Sequence, residues 1–139
     1  MISSDIGLNG IIFHHVGIII PCIEDAIKNY SVLFGIKNIS EIYTISDQKV
    51  KLCFVQTGKE SNLELVEPLF DNIPLNKLLK KGLNYYHTAY KIENIEKAIN
   101  LLEPMGYKFM SPFESEAFHM KKCIFCYSPD LHLFEFIEN

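Results

Sequence analysis

Hydrophobic positions along the chain keep two rhythms, and the switches between them mark the elements. Residues 11–20 form an apolar, β-branched run broken only by His14, His15 and Gly17. It reads as a buried strand that Pro21 closes. Ile23, Ala26, Ile27, Tyr30 and Leu33 then recur at helical spacing, with Glu24 and Asp25 in the first turn, where the dipole favours acids, and Gly35 at the end. Three strands are predicted next, over about 38–45, 50–57 and 62–67, separated by Ser46-Asp47-Gln48-Lys49 and Gly58-Lys59-Glu60-Ser61 as turns. Residues 68–83 read as a connector with a short helix at about 74–81. A strand over about 84–92 and a helix over about 95–105 follow, then strands near 107–111, 121–127 and 132–137. The stretch 111–120 reads as the longest irregular segment, a candidate rim loop.

The order β-α-β-β-β is therefore written twice, as module one over about 11–67 and module two over about 84–138. Laying 13–33 on 85–105 pairs His15 with His87, Ile20 with Ile92, Ile23 with Ile95, Glu24 with Glu96, Ala26 with Ala98 and Ile27 with Ile99. Near the ends of the modules the offset becomes 71. There Leu63-Glu64-Leu65-Val66-Glu67 falls on Phe134-Glu135-Phe136-Ile137-Glu138, and Phe54 on Phe125. Any two β-α units share an apolar pattern, so the isoleucine matches count for little. A histidine and a strand-embedded glutamate that repeat together count for more. The expectation is a single α+β domain made of two tandem βαβββ modules.

Composition narrows the partners. A net charge of −4 with acids and bases interspersed points away from nucleic acid and from anionic membranes. All 13 basic residues are lysine, so the arginine fork that grips carboxylates and phosphates is missing. The first ten residues hold neither a basic n-region nor a long apolar core, and no run reaches transmembrane length. The chain reads as cytoplasmic, with its four cysteines reduced. Cys123 and Cys126 form a C-x-x-C inside a predicted strand, where residues three apart point to opposite faces; neither a shared metal nor a disulfide is expected. Cys22 and Cys53 read as small core residues.

Candidate chemistry lies with the repeated histidine and glutamate. Glu64 sits between Leu63 and Leu65, and Glu135 between Phe134 and Phe136. Each carboxylate faces away from its apolar neighbours and needs either water or a partner, since burying it alone costs several kcal/mol. Two readings stay open at this point. The glutamates face solvent on half-exposed strands, or the two modules pack with approximate two-fold symmetry and their histidines and carboxylates converge on a divalent metal with mixed N/O ligands. By strand parity His14 lies opposite His15 and is a structural or helix-facing histidine, and His132 alternates away from Glu135. His119, in the rim loop, is a candidate substrate contact.

The segments His14-His15-Val16-Gly17-Ile18, Asp25-Ala26-Ile27-Lys28-Asn29-Tyr30 leading to Phe34-Gly35, Leu63-Glu64-Leu65-Val66-Glu67-Pro68-Leu69, Tyr86-His87-Thr88-Ala89-Tyr90 and Leu133-Phe134-Glu135-Phe136 resemble the vicinal oxygen chelate superfamily. This is the superfamily of glyoxalases, bleomycin-resistance proteins and extradiol dioxygenases. The resemblance covers nearly the whole chain from about Ile12 and looks strongest toward the methylmalonyl-CoA epimerase and glyoxalase-like branch. It implies paired βαβββ modules that form an open eight-stranded cup around a metal. His15, Glu64, His87 and Glu135 would be the ligands of one divalent ion per chain: zinc, nickel, cobalt or manganese. It implies an isomerase or epimerase that works through a metal-stabilised enolate of an acyl thioester or related carbonyl compound. Glu135 would be the principal base and Asp47, in the turn before the third strand, a second acid. The sequence departs from the epimerase pattern in having Lys49 where the family has glycine, and 113–120 in place of a glycine-rich stretch. The alternatives are a glyoxalase I-type lactoylglutathione lyase, against which the lack of arginine counts, and a non-catalytic drug-binding resistance protein, against which the intact ligand positions count. An extradiol dioxygenase would use one carboxylate where two stand here. The family also implies a homodimer acting on a small-molecule substrate.

Overall fold

The computed structural model describes Leu8 and residues 10–139; of the N-terminal stretch read for a targeting signal, residues 1–7 and Asn9 lie outside the described residues. The elements are α+β: β1 (Ile12–Ile19), α1 (Ile23–Phe34), β2 (Tyr43–Ile45), β3 (Val50–Gly58), β4 (Ser61–Pro68), α2 (Ile73–Lys80), β5 (Tyr85–Ile92), α3 (Ile95–Leu102), β6 (Lys108–Phe109), β7 (Phe113–Ser115), β8 (Lys121–Tyr127) and β9 (Leu133–Glu138). None of the described helices is long and apolar enough to cross a membrane.

The expected α+β order of two βαβββ modules stands; among the described residues one short strand, β7, is added to the eight expected, and the local differences have local causes. The strand read at 38–45 survives only as β2, preceded by a 3-10 turn at Ile36–Asn38 and one bridge from Ile39 to Val55. Asn38 spends its side chain on the Phe34 carbonyl at 2.6 Å, and the Ser40 hydroxyl takes the Phe54 N–H at 2.8 Å. The first bond closes the end of α1, and the second takes a β3 amide that a longer strand would have paired. The stretch 111–120 is not irregular: it holds β7 and a 3-10 turn at Glu116–Phe118. The helix read to 105 ends at Leu102 and tightens into a 3-10 turn, because Pro104 has no N–H to continue it.

The chain folds as two compact units, His14–Thr88 and Ala89–Asn139 together with the described residues before His14, so the division falls inside β5. In the first unit the strand order is β2-β3-β4-β1, with the start of β5 on the other side of β1, where Ile19 N–H donates to the Asn84 carbonyl at 2.7 Å. β3 and β4 are antiparallel, and β1 and β4 parallel. One face of this sheet packs Ile20, Cys53, Val55 and Leu65 against Ile23 and Ala26 of α1. Strand alternation then puts His15, Gly17, Leu52, Phe54, Glu64 and Val66 on the opposite face. In the second unit β9, β8 and β6 are neighbours in that order, β7 adds to β8, and Ile124, Cys126 and Phe136 pack against Ile95 and Ala98 of α3. Cys123 and Cys126 fall on opposite faces of β8 as expected, and no disulfide joins any of the four cysteines.

The last glutamate of each repeated strand has a role that the sequence did not disclose. Glu67 Oε1 accepts the Ile23 N–H at 2.8 Å, and Glu138 Oε2 accepts the Ile95 N–H at 2.7 Å. Each carboxylate satisfies a bare amide at a helix start and sits at the positive end of the dipole.

Candidate metal centre

Parallel pairing of β1 with β4 sets His15 opposite Asn62 and Gly17 opposite Glu64. The antiparallel register of β3 with β4 sets Phe54 on the other side of Glu64. His87 reaches the same place from β5. His15 Nε2 and His87 Nε2 are 3.0 Å apart, and Glu64 Oε1 lies 3.5 Å from the first and 3.4 Å from the second. The approach of His87 depends on Gly17. A Cβ at that position would lie 2.5 Å from the imidazole Cε1 and 2.8 and 2.9 Å from its nitrogens, closer than real contacts permit. The glycine is needed for the room it leaves in β1.

All three side chains are buried: His15 is 0%, His87 1% and Glu64 3% exposed. Burial pushes the Glu64 carboxyl up, but attraction to His15 and hydrogen bonds from His15 and His87 more than offset it and hold the group well below the usual carboxylate range. A divalent ion with bonds of about 2.0–2.1 Å sets neighbouring ligand atoms about 2.9–3.4 Å apart in octahedral or tetrahedral geometry. The 3.0 and 3.4 Å separations fall in that range and the 3.5 Å one just beyond it, and imidazole with carboxylate is a donor set such ions take. One proton joins only two of these atoms, whereas an ion accepts a lone pair from all three. The buried group can hold a divalent metal.

The remaining candidates are placed as follows. Glu135 is in β9 of the other unit, 3% exposed, flanked by Phe134 and Phe136 that face α3; its burial excludes the solvent-facing reading for this glutamate, as burial does for Glu64. Asp47 is exposed in a 3-10 turn at Ser46–Gln48, outside the buried group. His119 is exposed and closes the 3-10 turn after β7 with φ 57°. His132 packs its ring on Phe134, centroids 4.4 Å apart. His14 departs from its expectation. Its ring is turned to His15, Nδ1 to Nδ1 at 2.7 Å, and meets Phe54 edge-on with centroids 5.6 Å apart. Strand parity fixes where Cβ points, not where a ring can swing at a half-buried position.

A family model described as Glyoxalase/Bleomycin resistance protein/Dioxygenase superfamily matches residues 14–127. No curated protein sequence matches the chain. Among solved structures, a hypothetical protein from Bacillus halodurans is 26% identical with a TM-score of 0.79, over 94% of this chain and 96% of that one. Methylmalonyl-CoA epimerase from Mycobacterium tuberculosis is 18% identical with a TM-score of 0.79, over 99% of this chain and 92% of that one. A Streptomyces coelicolor methylmalonyl-CoA epimerase in complex with 2-nitronate-propionyl-CoA is 19% identical with a TM-score of 0.76, over 91% and 93%. At 18–19% identity these epimerases share the fold with this chain.

Proposed function

Because the chain belongs to the glyoxalase/bleomycin resistance/dioxygenase superfamily, we propose that it is a metal-dependent isomerase of the methylmalonyl-CoA epimerase type. The observation that carries this reading is the meeting of His15 Nε2, His87 Nε2 and Glu64 Oε1 at 3.0–3.5 Å. In the proposal Glu135, the repeat partner of Glu64, is the fourth ligand. A divalent ion held there would supply Lewis acidity toward a substrate carbonyl oxygen. In this reading Glu135 removes the proton from the carbon beside that carbonyl, and Asp47 serves as the second acid. The epimerase complex with 2-nitronate-propionyl-CoA supports an acyl thioester as the substrate class.

Metal analysis of purified protein, followed by deuterium exchange into acyl-CoA substrates, tests the reading. His87→Ala should lose most of the metal. Glu135→Gln keeps an oxygen ligand and should retain the metal while turnover falls about a hundredfold or more, the scale of losing a general base. Equal metal content in wild type and His87→Ala would sink the assignment. The exposure of Asp47 favours a second reading, a one-base lyase of the glyoxalase I type. Asp47→Asn separates the two: a two-base epimerase so altered washes deuterium into one epimer without interconverting them, and a one-base enzyme is unaffected. The proposal includes a homodimer, consistent with Val32, Leu33 and Ile36 being 85%, 70% and 65% exposed on the described surface; light scattering should give twice the 16.0 kDa chain mass.

A further inference from the structure

The contact between His14 and His15 lies outside the ligand set. Adjacent strand residues normally project to opposite faces, yet these two rings meet Nδ1 to Nδ1 at 2.7 Å with interplanar angle 83°. The arrangement is built from three elements. Asn62, across the β1–β4 ladder from His15, donates its amide to the His14 carbonyl at 3.2 Å and fixes that backbone. Phe54 of β3 meets both rings edge-on, with centroids 5.6 Å from His14 and 5.3 Å from His15.

We propose that His14 is a positioning residue for the metal centre, orienting the His15 imidazole and selecting its tautomer. The inference rests on the metal reading above. For His15 to offer a lone pair at Nε2, its proton must sit on Nδ1. That N–H then donates to His14 Nδ1, which acts as the acceptor while its own proton sits on Nε2. A ligating histidine whose other nitrogen is held in this way keeps both its ring plane and its basicity. The position aligned with His14 in the second module is Tyr86, which packs on the His87 ring with centroids 4.4 Å apart. The imidazole partner is therefore a feature of the first module alone.

Cobalt titration followed by the visible absorption of the bound ion tests this on the full chain, with His14→Phe, His14→Asn and His87→Ala beside wild type. Phenylalanine keeps a ring against Phe54 but has no acceptor; asparagine restores an acceptor near the Nδ1 position. His14→Phe should bind cobalt about ten- to a hundredfold more weakly, with a shifted band, and His14→Asn should recover most of both. The thermal midpoints of the two metal-free variants should agree, so that packing is not the cause. Wild-type affinity and spectrum in His14→Phe would overturn the inference while leaving the centre intact, and so would equal weakness in both His14 variants. Equal cobalt binding by wild type and His87→Ala would instead overturn the centre, and the inference with it.

Discussion

The two modules agree where the scaffold needs support and differ where the site needs a single copy. On the outside, Glu67 and Glu138 accept the first amide of α1 and of α3. Lys51 and Lys122 each lie 3.6 Å from the repeated Glu24 and Glu96. Both modules turn from a short strand through a 3-10 turn into a left-handed residue, Lys49 at φ 56° and His119 at φ 57°. Around the paired histidines and at the turn acid the correspondence stops. In the repeat Gly17 is aligned with Ala89, His14 with Tyr86, and the turn acid Asp47 with Ala117. A bare helix amide or a reversing turn makes the same demand wherever it occurs, so one answer serves twice. The imidazole packed against Gly17 makes its demand once.

The largest expected effect comes from erasing that difference. Gly17→Ala places a methyl 2.5 Å from His87 Cε1 in the middle of a strand, so the ring must leave its position. Cobalt affinity should drop by at least about a hundredfold, on the scale of a disturbed ligand. The reciprocal Ala89→Gly change should keep the metal and cost about 1 kcal/mol of stability, the ordinary penalty of glycine in a strand. Equal loss of metal in both variants would mean that the two positions do the same job and that the modules are more alike than their contacts show.

This asymmetry also marks how far the sequence could be read. The alternation Leu63-Glu64-Leu65 put the carboxylate on the face away from the helix, and Ile20, Leu65 and α1 confirm it. Burial of Glu64 at 3% exposure then excludes the solvent-facing reading. Pairing register was not legible: nothing in the composition of β1 says that Gly17 rather than Val16 stands opposite Glu64, and the need for a glycine there arises only from that register. β7 was missed because three residues, Phe113-Glu114-Ser115, are too short to display a period; what holds them is antiparallel pairing with β8, with Phe113 stacked on Phe125 at 5.6 Å. The swing of the His14 ring was missed because parity speaks for Cβ alone. Glu67 and Glu138 were aligned but given no task, since a cap supplied from a strand some 43 or 44 residues away leaves no local signature.

A smaller effect sharpens the likeness between the outer faces. Removing either capping carboxylate should cost about 0.5–2 kcal/mol in urea unfolding. The N-cap position of α1 is Cys22, whose side chain caps no backbone amide of the helix and instead donates to the Glu24 carboxylate at 3.7 Å, whereas Asn94 still accepts the Lys97 N–H at 2.9 Å in α3. Glu67→Ala should therefore be the more damaging of the two, and amide exchange at Ile23 should quicken more in it than exchange at Ile95 does in Glu138→Ala. The reverse order would show that Asn94 adds nothing to the start of α3.

The two helix-facing layers can be compared through their buried thiols. Cys53 belongs to the first and Cys126 to the second. Burial pushes the Cys53 thiol up to about 11, helped by the Glu64 charge, and burial alone pushes Cys126 to about 12. In the unfolded chain both ionise near 8.5–9. The folded values are raised, so the folded state holds these protons longer than the unfolded one. The stabilising contribution is complete below about pH 8.5 and is lost as pH rises toward 11 for Cys53 and 12 for Cys126. Between pH 9 and 10.5 the two thiols should weaken folding with the same slope, because neither folded value has yet been reached. Cys53→Ala and Cys126→Ala should each flatten the alkaline limb of urea stability by an equal amount. A clearly unequal flattening would mean that one layer admits water and the other does not, and the likeness of the two modules would then end at their helices as it does around their paired histidines.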